Sequence, residues 1–327
     1  MARQAFRSYF LHTLSNDALP FKTSPFSYPR TPLNMSTSIT STTASVNGIT
    51  IAYTIHTPPA TATDLASKQA APLPWIVLIN GLADEKEAWG YQTPALTNRG
   101  YTVLTFDNRG VGGSSCPAGP YSAELMAKDT KALLMCLEIE RFHLCGISMG
   151  GMLAQAYALA YPEGIISLTL ACTYGAPNPF CTRMFDLWAD TASVMGVPHV
   201  MRDVLLWCYT PAFFSDQNRM EELAAFEDGM RFMSMGTPAY LAQLAVIQRF
   251  DVRKEVGRLA QMGVPVMVLA GEEDILIPTA LSRELQGMIP GSVWHEVRGG
   301  HGCSLECPDE FNEALLDFTT QADLKSS

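Results

Sequence analysis

From Trp75 to Val297 the chain repeats one pattern: a short, continuous apolar run, then a stretch whose apolar residues recur at helical spacing. The runs cover 75–79, 101–106, 142–147, 165–171 and 265–270, and 293–297 reads as a last strand. Segments this short and this uniformly apolar read as strands buried on both faces. Helical spacing follows over about 85–98, 123–137, 149–160, 278–288 and 308–319. Strands alternating with helices predict an α/β fold, a mostly parallel twisted sheet with helices on both faces. In such a sheet the functional side chains collect beyond the carboxyl ends of the strands.

Two stretches depart from the alternation. Near the start, 44–46 and 49–56 flank Asn47-Gly48, a pair that favours a two-residue hairpin turn. A Pro-, Ala- and Thr-rich loop is expected over 57–74. From about 175 to 250 only helical periodicity remains, rich in Met184, Phe185, Trp188, Met195, Met201, Trp207, Phe213, Phe214, Met230, Phe232, Met233 and Met235. A helical core needs such residues, and so does a lid over an apolar substrate. The domain plan is an N-terminal extension over 1–43, a core over 44–174 and 251–320, a helical cap over 175–250 inserted before the acid-bearing strand, and a tail over 321–327.

The 327 residues, 47% of them hydrophobic, suit one large domain or a core with an inserted subdomain. A formal net charge of −10 without a basic stripe argues against nucleic acid and anionic membrane surfaces as partners. No apolar run is long enough to span a bilayer. The eight cysteines form no C-x-x-C pair, which reads as a reduced, intracellular setting, and the six histidines lack metal-ligand spacing. Neither a metal nor a cofactor is expected. Arg3, Arg7, Lys22 and Arg30 against the single acid Asp17 give residues 1–43 the character of a transit peptide or of a disordered tail. The expected location is therefore cytoplasmic or mitochondrial.

Reading only the strand ends yields a short set of residues. The run 142–147 leads into Gly146-Ile147-Ser148-Met149-Gly150-Gly151, a serine between glycines where a strand turns into a helix. Gly146 and Gly150 fit a turn too tight for side chains, which lifts the Ser148 hydroxyl clear of the sheet. The run 265–270 ends at Gly271-Glu272-Glu273-Asp274, and the last run ends at Arg298-Gly299-Gly300-His301-Gly302. A serine hydroxyl needs a base, and that base needs an acid to fix its tautomer. His301 fits the base and Asp274 the acid, with Glu272 and Glu273 as alternatives. His143 and His295, inside strands, read as structural. Backbone N–H groups of Met149 and Leu82 are the expected oxyanion donors, on a loop shaped by Asn80 and Gly81.

With these residues in order, the chain resembles the α/β-hydrolase superfamily across nearly all of 45–320. The resemblance rests on the Asn80-Gly81 loop, Asp107-x-Arg109-Gly110-x-Gly112-x-Ser114, the Ser148 elbow, Gly271-x-x-Asp274 and Gly300-His301. The ending, with Ile289-Pro290-Gly291, Pro308-x-x-Phe311-Asn312 and Leu315-Leu316-Asp317-Phe318, is similar to 3-oxoadipate enol-lactonases and related carboxylesterases. Asn80 stands where many members carry His. The resemblance implies that Asp107 and Arg109 hold the loop beside the nucleophile. It implies a serine hydrolase acting on a small, largely apolar ester or lactone through an acyl-enzyme. Two alternatives remain: another reaction of the fold, such as β-diketone C–C cleavage or peracid formation, and a non-enzymatic binding protein. A dehalogenase or epoxide hydrolase would carry Asp in place of Ser148.

Overall fold

A computed structural model of the chain describes residues 39–59, 73–231, 233 and 235–326. Among the described residues eight strands form one sheet: β1 (Ile39–Val46), β2 (Ile49–His56), β3 (Trp75–Ile79), β4 (Thr102–Phe106), β5 (Phe142–Ile147), β6 (Ile165–Ala171), β7 (Val266–Gly271) and β8 (Val293–Val297). Their spatial order is β1-β2-β4-β3-β5-β6-β7-β8. The first two pairings are antiparallel, and every pairing from β4 to β8 is parallel. The expected α/β architecture is therefore present, with helices on both sides of a mostly parallel sheet.

Each buried strand divides its side chains between two cores. Val77, Leu104, Leu144, Leu168 and Val268 belong to one apolar cluster. Their neighbours Ile76, Leu78, Val103, Cys145 and Leu269 belong to the other. Side chains alternate across a strand, so a run apolar at every position feeds both faces. That is why these runs show no alternation in the sequence.

Helices α1 (Gln92–Asn98), α2 (Ala123–Cys136), α3 (Met149–Ala160), α9 (Thr279–Met288), α10 (Cys303–Glu306) and α11 (Pro308–Ser326) cover the sheet. Between β6 and β7 run α4 (Pro179–Met195), α5 (Val197–Cys208), α6 (Pro211–Ser215), α7 (Met220–Arg231) and α8 (Thr237–Arg249). Local chemistry sets several starts: the side chains of Ser122, Asn178 and Thr210 accept the N–H groups of Leu125, Cys181 and Phe213.

Three boundaries differ from the sequence expectation. The single helix expected over 85–98 is a 3-10 turn at Lys86–Trp89 followed by α1, interrupted at Gly90-Tyr91. Strand β1 begins at Ile39 rather than near Ala44, because the whole of Ile39–Val46 pairs with β2. The closing helix runs to Ser326 rather than ending near Thr319 before a tail. Tyr101 donates to Asp323 at 2.7 Å, His143 pairs with the same carboxylate at 3.2 Å, and Ala322 is buried. These contacts lie far apart in the chain, so local periodicity does not register them. The transit-peptide reading of the N-terminus and most of the expected 57–74 loop lie outside the described residues.

Candidate active site

The sheet brings Ser148, Asp274 and His301 to one edge, past the ends of β5, β7 and β8. Ser148 has φ 57° and ψ −121°, a conformation side-chain-bearing residues rarely adopt. The turn is held on several sides. The Ser148 N–H donates to the Ala171 carbonyl at 2.9 Å, and the Thr173 hydroxyl donates to the Ser148 carbonyl at 2.9 Å. A Cβ on Gly146 would collide with the Gly150 carbonyl, and one on Gly150 would collide with the Ile79 carbonyl. Only glycine fits at either place, as the tight spacing implied. Strain of this kind persists where the surrounding structure enforces it.

Asp274 is buried, and its two carboxylate oxygens have separate tasks. One accepts the Ile277 N–H at 2.9 Å, and the other lies 2.8 Å from Nδ1 of His301. Glu272 and Glu273, the alternative acids, are exposed. Burial works against the charged imidazole, but the charge and hydrogen bond of Asp274 outweigh it and raise His301 to about 9. With Nδ1 committed to Asp274, Nε2 is the ring nitrogen left for chemistry.

Asn80 is fully buried and ties down the loop after β3. Its amide donates to the carbonyls of Asp84 and Phe106 at 3.2 Å, and its oxygen accepts the Trp89 indole N–H at 2.7 Å. An imidazole has no such double donor and acceptor set. Leu82 lines the same cavity as Ser148, and Met149 opens α3 directly behind the serine. The first N–H groups of a helix have no partner inside it, so the helix start behind Ser148 favours negative charge. Asp107 braces the neighbouring loop, accepting the N–H groups of Lys86 at 2.7 Å and Gly113 at 2.8 Å. Arg109 pairs with buried Asp129 through two bonds of 2.5 and 2.6 Å.

Several neighbours were not visible in the sequence. Glu306 lies on α10, and its carboxylate accepts the Thr210 N–H at 3.3 Å, the Thr210 hydroxyl and the Gly300 N–H at 3.0 Å. The Gly302 N–H donates to the Cys208 carbonyl at 2.8 Å. The histidine loop is thus clamped by the end of α5 and the start of α6. Cys172, just past β6, brings its sulfur, the Asp274 carboxylate and the His301 ring within 4.8 Å of one another. Its sulfur also lies 3.6 Å from that of Cys303. His143 is fixed between Ser167 at 2.8 Å and Asp323, and burial lowers its pKa, in keeping with a structural role.

Ser148 and His301 line one cavity of about 150 Å³. Phe185, Trp188, Met201, Met230 and Met233, from the apolar stretch after β6, form much of its wall. Met195, from the same stretch, is exposed instead, and Phe213 packs in a separate small cluster. Phe232 lies outside the described residues.

This architecture has clear relatives. The family model for the alpha/beta hydrolase fold matches residues 74–307. The chain belongs to the alpha/beta hydrolase family. A putative carbamate hydrolase RutD of Agrobacterium fabrum is 31% identical over 257 residues, spanning 77% of this chain and 95% of that protein. A putative carbamate hydrolase RutD of Caulobacter segnis is 29% identical over 283 residues, spanning 85% of this chain and 98% of that one. Among solved structures, the enol-lactonase of Burkholderia xenovorans LB400 is 28% identical, with a TM-score of 0.74 over 85% of this chain and all of that one. A thermophilic esterase of Thermogutta terrifontis, 20% identical, shares the fold with a TM-score of 0.72 over 86% of this chain and 99% of its own. No helix of the described residues is long and apolar enough to cross a membrane.

Proposed function

We propose that this hydrolase cleaves small carboxylic esters or lactones by a serine mechanism. Ser148 is the nucleophile, His301 the base and then the acid, and Asp274 the group that orients and charges the imidazole. Backbone N–H groups of Leu82 and Met149 stabilise the oxyanion. The described residues of 175–250 form a cap that supplies the apolar wall. The observation that carries this reading is the 2.8 Å Asp274–His301 bond opening onto the same cavity as a serine held at φ 57°.

The steps follow from that arrangement. His301 Nε2 takes the Ser148 proton as the oxygen attacks the carbonyl carbon, and the resulting imidazolium is held by the Asp274 carboxylate. The same proton passes to the leaving oxygen as the acyl-enzyme forms. Water, deprotonated by His301, then releases the acid and restores the serine. A cavity of about 150 Å³ lined with aliphatic and aromatic side chains suits an acyl group on the scale of a benzene ring.

The relatives named as putative carbamate hydrolases favour a second reading of the same site. A carbamate carbonyl passes through the same tetrahedral geometry, so the residue roles are unchanged.

A fluorophosphonate probe tests the mechanism directly. Wild-type protein labels and hydrolyses short-chain p-nitrophenyl esters, and Ser148→Ala loses the label and at least about 10³-fold of the esterase rate. Equal labelling of both proteins, or none of the wild type, would overturn the reading.

A further inference from the structure

Ser148 and His301 share their cavity with a carboxylate that the acyl-transfer steps do not use. Asp84 lies on the loop after β3, beyond Leu82, and lines the cavity. A Cβ built on Gly81 would lie 2.7 Å from Asp84 Oδ2 and 3.5 Å from the Ser148 Cβ. The space that a side chain on Gly81 would fill therefore borders both this carboxylate and the serine. Burial raises Asp84 to about 6, opposed by the charge of His301 and a hydrogen bond from the Gly81 backbone. Glu85, next in the chain, lines the same cavity and adds negative charge. Across from them the Cys208 thiol is pushed well above its ordinary value by burial, with Asp84 and Asp274 contributing. Among the described lining residues there is no lysine or arginine, and His301 is the one group able to carry positive charge.

These facts bear on the acyl side of the substrate. A negatively charged acyl group would enter a space with low-dielectric walls, no lysine or arginine to meet it and a carboxylate beside the reacting serine. An N–H group or an ammonium in the same place would find an acceptor. We propose that Asp84 is a specificity-determining residue: it excludes acyl groups bearing a carboxylate and favours small neutral acyl groups or those carrying an N–H donor. The inference rests on the serine mechanism above and names the substrate class for it.

The experiment compares p-nitrophenyl butyrate, the p-nitrophenyl monoester of succinate and p-nitrophenyl β-alaninate, with fluorophosphonate labelling run in parallel. The readout is the ratio of kcat/KM values, not any one rate. At pH 8 wild type favours butyrate over succinate by roughly tenfold or more, the size of a partly screened like-charge repulsion. Asp84→Asn shrinks that ratio by about the same factor and lowers the relative rate on β-alaninate, while Asp84→Glu keeps the wild-type order. In wild type the ratio grows as pH rises through about 6, where Asp84 ionises, and in Asp84→Asn it stays flat. The wild-type pH series needs no variant to fold. A labelled wild type whose ratio is near one, or does not change with pH, overturns the role of Asp84 and leaves the serine mechanism standing. A wild type that does not label overturns the mechanism, and this inference with it.

Discussion

At the scale of single residues, the Asp274–His301 pair sets the pH behaviour. In the proposed mechanism His301 is the base and works only when neutral, and in the folded protein its pKa is raised to about 9 against burial by the neighbouring carboxylate. The rate therefore rises with pH, and its acid limb lies above the ordinary histidine value of about 6.5. Asp274→Asn removes the largest opposing charge and leaves burial to prevail over the smaller influences of Cys172 and Asp84. The limb moves below about 6.5 while the maximum rate falls by about 10⁴-fold, measured as kcat/KM from pH 5 to 10. The same pKa has a stability side. A raised imidazole pKa gives a contribution fully present below about 6.5 and lost as pH rises through about 9. These residues were legible in the sequence because each sits where a strand ends. Asp84 was not, because that loop read only as a source of backbone N–H groups.

At the scale of elements, the histidine loop depends on a segment distant in the chain. Glu306 joins Thr210, at the start of α6, to Gly300, beside the histidine. Glutamine has one acceptor oxygen where glutamate has two, so Glu306→Gln cannot satisfy all three donors. The expected cost is about 1.5–3 kcal/mol of stability by urea denaturation, with kcat falling more than KM changes. The strands were legible because runs buried on both faces have a plain signature. The helices after β6 were legible as helices, but which residues face the cavity was not. Phe185 and Trp188 line the cavity while Met195 on the same helix is exposed, and only packing separates them.

At the scale of the whole molecule, a buried ion pair links the first hairpin to the body. Arg109 meets Asp129 on α2, and Asn47 of the β1–β2 turn donates to the same carboxylate at 2.6 Å. Asp129→Ala leaves a buried guanidinium without its partner, which costs about 3–5 kcal/mol in equilibrium unfolding. Its effect on fluorophosphonate labelling of the folded fraction is small, since Ser148 is held by the Ala171 carbonyl and the Thr173 hydroxyl instead. The Arg109 motif was legible in the sequence, but its partner was not, because Asp129 reads there as an ordinary polar position on an amphipathic helix.

Local sequence specified the sheet, the helical segments and the sheet edge that carries Ser148, Asp274 and His301. Those features follow from local periodicity and from glycines that a tight turn requires. Tertiary structure alone decided that Asp274 rather than Glu272 or Glu273 meets His301, that Glu306 clamps the histidine loop, and that Asp84 stands beside the serine. Each is a contact between segments whose separation in the chain carries no periodic signal, so it exists only once the two cores have packed and fixed the loops above them.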